Sequence, residues 1–518
     1  MYKRKGTYLQ NRSEIFSPAI RFQRISGFFG SLRLKAFVFS LLLLLVFPCS
    51  MTHATPIPST RIGGLNFSSP VEGMVTSIYW NPAALGLIGG TRVFIDGTLR
   101  MTQLQGRRKS IDPSTGTPYS GPNALSFEKE TYLSLTPDLF FGLATDMGSD
   151  SVVLGVAVYT PYAELDRFRG EDLPGREASF RYHKVSMDWF NIFISPVVSV
   201  KFHRRFYAGV GLSYVRSVLN MSFYRDRTIR DTYKPGNEED YTVEDPMRSE
   251  FVDLQTVDNS LTFNLGVLFV LPGDVRLGLA YRSKALGLER SNVESSGRVS
   301  VSRHDDPSEG WVNIEGRAKV YYVLPDSLSI AARWSPKEKW DLDLTFEWIH
   351  FSVHQNIHFK FSGNEFRAAN MGNWDVNFHH FRGFEDVWRV QAGTIYKPLK
   401  NIRLGGALMY ESALVEKKWV NPATVDNHKI DMLFSFEWYP HKSVSLHMGY
   451  SISIMPPVDV SISGFDPSRT TSCVTNRVDI IWNEDCGYVD SGKGLPSAAG
   501  KYWKLIHRVG FGVGYHYY

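Results

Sequence analysis

Cysteine is nearly missing from this chain, with three in 518 residues. Cys49 sits behind Phe47-Pro48, a poor lipoprotein processing site, so Cys473 and Cys486 are the pair to account for. Two isolated thiols do not supply the four ligands of a structural metal centre, and no metal or other cofactor is expected. A dominant charge is missing too. The 57 Lys+Arg stand against 52 Asp+Glu, a net of +5, which gives no electrostatic case for nucleic acid. Mean hydropathy is only −0.19, and the apolar run Ala36–Phe47 is too short to span a bilayer as a helix. There is no G-x-S-x-G run, and the fourteen histidines are scattered, with His379-His380 adjacent in a polar stretch. Nothing assembles a nucleophile with its base, so an enzyme is not expected.

What is present is alternation. The chain ends on Val509, Phe511, Val513, Tyr515 and Tyr517, set against Arg508, Gly510, Gly512, Gly514 and His516. A strand puts such sets on opposite faces. Trp340, Leu342, Leu344, Phe346 and Trp348 alternate with Asp341, Asp343, Thr345 and Glu347, and Ile430–Trp438 and Val444–Ile454 repeat the pattern. A soluble β-sandwich also alternates, but it does not crowd rings at strand ends. A lipid-facing surface with aromatic girdles and a polar lumen does. Low hydropathy is then no obstacle, since the apolar residues are interleaved with polar ones.

The N-terminus sets the compartment. Lys3, Arg4, Lys5, Arg33 and Lys35 precede Ala36–Phe47, and Thr52-His53-Ala54 follows. This is the order of a signal peptide, expected over residues 1–54, which directs the chain to export. Cys473 and Cys486 lie in a polar stretch in an oxidising compartment and are a candidate disulfide closing a surface loop.

Connection lengths give the topology. Short turns recur at Met147–Asp150, His203–Arg205, Pro272–Asp274, Pro336–Lys339, Leu399–Asn401 and His441–Ser443. Long polar gaps fall at 104–129, 163–185, 217–258, 286–323, 353–385, 412–428 and 457–501. Six turns and seven gaps separate fourteen strands, with both ends at the short-turn, periplasmic rim. Gly316–Tyr322, inside one gap, is a further pairing segment that leaves the count open by two. Residues 55–90 precede the first strand (about Arg92–Gln103) and hold Leu65, Phe67, Val71, Val75, Ile78, Trp80 and Leu85, which want burial. They are expected to fold into the lumen as a hatch, with the barrel occupying 91–518.

These residues carry a resemblance. Ile78-Tyr79-Trp80-Asn81-Pro82-Ala83-Ala84-Leu85 resembles the Asn-Pro-Ala signature in the hatch of the FadL/TodX family of outer-membrane hydrophobic-compound transporters. Val152–Ala163, ending Tyr159-Thr160-Pro161-Tyr162, is similar to the family's third strand, and Ile194–Lys201 to its fourth, with Ser195 in place of the usual Asn. Arg276–Lys284, Leu324–Ser329 and Phe384–Arg389 match further segments in order. The resemblance implies an all-β, fourteen-stranded antiparallel barrel plugged by an N-terminal hatch. It implies passive uptake of long-chain fatty acids or similar hydrophobic molecules, in a membrane of lipid and lipopolysaccharide. An aromatic-hydrocarbon channel, a non-specific porin and a surface structural protein are the alternatives.

Asn81, Pro82 and Ala83 are assigned to shaping the hatch. A fatty carboxylate wants a cationic fork beside an apolar pocket. Arg282 and Arg389, lumen-facing by parity and toward the outer strand ends, are the candidates, against the reading that they pair with other lumen charges. Gly155 is a candidate irregularity for a sideways exit through the third strand, or else a small residue making room for the plug.

Overall fold

The computed structural model describes residues 69–110, 127–168, 179–226, 249–287, 293–303, 310–354, 356–369, 371, 376–465, 470–471, 488–489 and 497–517. The expected signal peptide, residues 55–68 of the expected hatch, and Cys473 and Cys486 lie outside them. Fourteen strands form the wall. They are β1 (Thr91–Arg108), β2 (Glu130–Thr145), β3 (Val152–Arg167), β4 (Ser186–His203), β5 (Phe206–Asp226), β6 (Ser249–Leu271) and β7 (Val275–Arg282), then β8 (Ser327–Lys337), β9 (Trp340–Ile349), β10 (Val387–Leu399), β11 (Ile402–Glu411), β12 (Lys429–His441), β13 (Val444–Ile454) and β14 (Gly500–Tyr517). Each pairs antiparallel with the next. β14 closes on β1, with Thr91 opposite Tyr517 and Arg108 opposite Gly500. Closure leaves the wall without an unpaired end strand, as a strand structure in lipid requires, though β2 and β3 pair only between Phe140/Tyr159 and Thr145/Leu154.

The six short connections stand where the sequence puts them. The turn at Asp146 shows the local chemistry. Met147 and Gly148 both have positive φ, 51° and 76°, the pair of left-handed residues that matches strand twist. The Asp146 carboxylate accepts from Gly148 N (2.9 Å) and, across the rim, from Gly90 N (2.7 Å). That fixes the point where the inner segment enters β1. Alternation sorts the faces as expected: Trp340, Leu342, Leu344 and Phe346 are exposed, and Asp341, Asp343 and Glu347 are buried inside.

Two of the long gaps are not plain loops. Val293–Arg303 pairs with the outer half of β6, and Val312–Tyr322, Asn356–Ser362 and Asn377–Phe381 continue that sheet. Gly316–Tyr322 therefore pairs, but beyond the closed wall, and the wall count stays at fourteen. The reason is burial: Val299, Val301, Ile314, Val320, Phe359 and Phe378 cover Phe223, Val252 and Leu254 at the outer mouth.

Candidate functional site

The lumen is filled from the periplasmic side by Ser69–Gly90. Its centre is a four-residue helix, α1 (Ser77–Trp80), followed by a 3-10 turn over Pro82–Leu87. Asn81 joins them. Its Oδ1 accepts from Ala83 N (3.0 Å), and its Nδ2 donates to Pro70 O (2.7 Å) and to Val267 O of β6 (3.1 Å). Pro82 opens the turn where no amide donor is needed. Asn81, Pro82 and Ala83 are all buried against the wall.

The wall is shaped to receive them. Gly209 of β5 and Gly266 of β6 are directly paired. A Cβ on Gly209 would lie 2.4 Å from the Pro82 carbonyl carbon, and one on Gly266 1.9 Å from Asn81 Oδ1. Ser199 Oγ donates to Ala83 O (3.0 Å), and Asn264 Nδ2 to Ile78 O (2.9 Å). Glu72 ion-pairs with Arg333 and lies 3.8 Å from Arg403. None of these seat residues is singled out by alternation, because period 2 tells that a residue points inward but not what it meets.

On the β3–β5 side, alongside Val153–Tyr162 of β3, the lumen is neutral and aromatic. Ring centroids step from Phe193 to Tyr159 (5.5 Å), to Phe140 (5.9 Å) and to Phe94 (6.2 Å), and Tyr79 meets Tyr159 at 5.5 Å. Ser195, standing in mid-wall, donates to Tyr159 Oη (2.9 Å). β3 does not end at Tyr162. A register shift between Tyr159 and Tyr162 inserts one residue, after which the strand runs on beside β4 to Arg167. Backbone pairing of β3 with β2 stops there, at Phe140 opposite Tyr159. Beyond it, side chains bridge the two strands: Leu139 N donates to Thr160 Oγ1 (3.1 Å) and Ser134 Oγ to Leu165 O (3.2 Å). Arg100 reaches from β1 to Ala163 O (2.6 Å). Pro161 has no N–H for a ladder, which fits a bulge at this point. Gly155 lies in regular pairing below it, where an added Cβ would come 2.8 Å from Leu85 and 2.9 Å from Ile78. The geometry gives Gly155 the space-making place against the inner segment; the irregularity sits at Thr160-Pro161.

On the β8–β12 side the lumen is charged and paired. Arg333 grips Asp343 through two bonds of 2.7 Å. Arg389 joins Glu347 (3.0 Å) to Glu411, Lys429 joins Glu411 (2.8 Å) to Asp426 (2.6 Å), and Arg403 meets Glu437 at 3.2 Å. Arg389 is thus held between two glutamates. Arg282 donates to Tyr79 O (2.5 Å) with its guanidinium 3.7 Å from the centre of the Tyr79 ring. Both arginines are inward and buried, as parity requires, and both are engaged by the protein. The cavities beside them measure 10 and 20 Å³, room for about one water each. A larger cleft of 590 Å³ opens at the outer rim among Asp386, Trp388, Ser412, His428 and Val458.

A family model described as outer membrane protein transport protein (OMPP1/FadL/TodX) matches residues 68–456. Among solved structures, a FadL homologue of Pseudomonas aeruginosa is 14% identical, covers 90% of this chain and 100% of its own, and superposes with a TM-score of 0.66. The toluene transporter TodX of P. putida is 12% identical, with 90% and 100% covered and a TM-score of 0.59. The CymD monoaromatic hydrocarbon channel is 10% identical, with 89% and 100% covered and a TM-score of 0.56. No curated protein sequence matches the chain.

Proposed function

The chain belongs to the OMPP1/FadL/TodX family of outer-membrane transporters of hydrophobic compounds, and from that premise we propose that its solute leaves the barrel sideways, between β2 and β3. The single observation that carries this is the bulge at Thr160-Pro161, where the β2–β3 ladder stops beside the line of rings. A hydrophobic solute captured at the outer mouth gains free energy by leaving water for the aromatic face, and gains it again by entering the lipid. No energy source and no catalytic step is needed. The Tyr159, Phe193 and Phe140 rings line the descent, and the seated inner segment blocks the straight path to the periplasm.

Long-chain fatty acids and aromatic hydrocarbons both fit such a path. A P. putida relative described as a toluene transporter supports the second. The engagement of Arg282 and Arg389 by protein groups means that neither offers a free fork to a carboxylate in this state. Deleting Pro161 tests the exit. Removal of the extra residue lets β2 and β3 pair to their ends. Cellular uptake of a labelled hydrophobic probe should fall to the level of cells without the protein, while binding to the purified variant persists. Uptake at the unaltered rate would rule out the lateral route.

A further inference from the structure

The sheet at the outer mouth carries charges that its own pairing does not explain. Val293–Arg303, Val312–Tyr322, Asn356–Ser362 and Asn377–Phe381 turn Val299, Ile314, Val320, Phe359 and Phe378 toward the mouth. Their alternate residues lie on the face shared with Gln255 and Val257 of β6, the face that meets lipid lower down the wall. On it, Arg298 stands directly opposite Arg317, and Lys319 directly opposite Lys360. All four are exposed. Like charges opposite each other across strands destabilise a sheet, and here two such pairs occupy neighbouring rows. The row from Gln255 to Ser362 and the row from Val257 to Asn377 hold no acid; the outward acids Glu294, Glu315 and Asp253 stand in the rows on either side. Lys319 pairs with Glu294, and Arg298 donates to Gln255 Oε1 (2.7 Å). Among the described residues, no hydrogen bond or ion pair reaches Arg317 or Lys360.

Depth along the wall says what these cations face. Phe206 and Phe269 meet at 5.0 Å beside the short-turn rim. From Phe269 to Asn259 is ten residues of β6, about 34 Å along the strand, or about 26 Å of height at a tilt of about 40°. That is the height of an outward apolar band, and Phe269, Leu265, Val210 and Leu212 are exposed along it. Rings gather at its outer limit. Tyr214 donates to Asn259 Oδ1 (2.5 Å), and Tyr321, His358 and His379 stack in one row at 5.3 and 4.2 Å, the place of an interface girdle. The Lys319 row and then the Arg298 row come next, further from the bilayer.

We propose that Arg298, Arg317, Lys319 and Lys360 bind the phosphorylated head of lipopolysaccharide in the outer leaflet. The outward order of apolar residues, rings and paired cations is the order of that lipid's acyl chains, interface and phosphorylated saccharide. Charge decides the occupant. A zwitterionic phospholipid head has no net charge to offset two like pairs, whereas a head with several anions spans both. Facing guanidiniums can share a phosphate through parallel N–H bonds, and the ammonium pair meets the next as point charges. Repulsion that the sheet bears alone is relieved when the lipid arrives.

Titration of the purified full chain, in lipopolysaccharide-free micelles with EDTA, tests it with three lipids: lipopolysaccharide, its dephosphorylated form and phosphatidylethanolamine. Lipopolysaccharide should bind at least about 10-fold tighter than either, and high salt should shrink the difference. Arg317→Gln with Lys360→Gln takes one cation from each pair and leaves the Lys319–Glu294 and Arg298–Gln255 contacts alone. Affinity for lipopolysaccharide should then fall about 5- to 30-fold. Arg317→Glu with Lys360→Glu turns both like pairs into opposite ones. This variant should unfold no more readily than the unaltered protein before lipid is added, and should bind lipopolysaccharide more weakly still. Equal binding of all three lipids, or full affinity in both variants, overturns the assignment. So does a lower lipid-free stability of the Glu variant, which would mean that the cations hold the protein and not the lipid.

Discussion

The two sides of one lumen are built on different physics. On β3–β5, the inward residues from Val153 to Tyr162, Trp189 to Ser199 and Tyr207 to Met221 carry no charge. On β8–β12, Arg333, Asp341, Asp343, Glu347, Arg389, Arg403, Glu411, Lys429, Asp431 and Glu437 are tied into pairs and chains of pairs. Ion pairs away from bulk water are strong and directional, and pulling one apart strands a charge. Ring contacts are individually weaker and survive sliding. The charged side therefore fixes the wall and anchors the inner segment through Glu72. The neutral side contains the start of the interrupted ladder, where Phe140 and Tyr159 part among rings and hydroxyls; the ion pairs of β3, Glu164 and Asp166 with Lys184 and Arg167 with Asp188, lie further out and hold β3 on its other side.

The sharpest way to break that contrast is to unbalance the charged side. Arg389→Met leaves Glu347 and Glu411 facing each other without their shared cation, and losses of one buried partner run to about 3–5 kcal/mol. A lowered midpoint of heat-induced unfolding is expected, recovered in part by adding Glu347→Gln and Glu411→Gln. No recovery would mean the arginine acts by packing alone. Next is the seat of the inner segment. Gly266→Leu drives a side chain into Asn81, whose Oδ1 stands 1.9 Å from an added Cβ, and overpacking costs about 1–3 kcal/mol. Ion conductance in planar bilayers should rise from near closed to porin-like; a variant that stays closed would show that the segment can re-seat elsewhere.

On the neutral side the same kind of edit should cost less. Tyr159→Phe keeps the ring and loses one hydrogen bond with Ser195, about 1 kcal/mol. Thermal stability should barely move, and a drop as large as that of Arg389→Met would erase the distinction between the walls. The smallest effect belongs to the rim. Bonds from the Gly148 and Gly90 amides hold the Asp146 carboxyl below its usual range. A depressed folded-state value means the contribution is present at neutral pH and is lost as pH falls through that value. Protection of the Gly90 amide, taken relative to the intrinsic exchange rate at each pH, should fall under acid below the ordinary carboxylate range, and at neutral pH in Asp146→Asn. Exchange unchanged in that variant would remove the carboxylate from the account.

Much of this was legible because a strand's two faces are a local property. Asp341 and Glu347 point inward and Leu342 and Phe346 outward for the same reason in any sheet. Parity misleads in the middle of β3. Tyr159-Thr160-Pro161-Tyr162 reads as a strand end, yet the strand continues with its faces exchanged, because a one-residue bulge shifts every later position. The sheet at the outer mouth was hidden for another reason. Val299-Ser300-Val301 and Phe359-Lys360-Phe361 are short runs between polar stretches, and they become strands only where Phe223 and Leu254 offer a surface to cover.

The sequence by itself determined the fourteen strands, their turns, the lipid-facing residues and the family, since alternation, turn chemistry and motif order are written in neighbouring residues. Tertiary structure alone decided the partners inside. Asn81 meets Gly266, Glu72 meets Arg333, and Arg389 is claimed by Glu347 and Glu411 while Arg382 is left among rings. Closing the barrel brings residues hundreds of positions apart within a few ångströms, and a charge inside is paired or left among rings according to which strands that closure sets side by side.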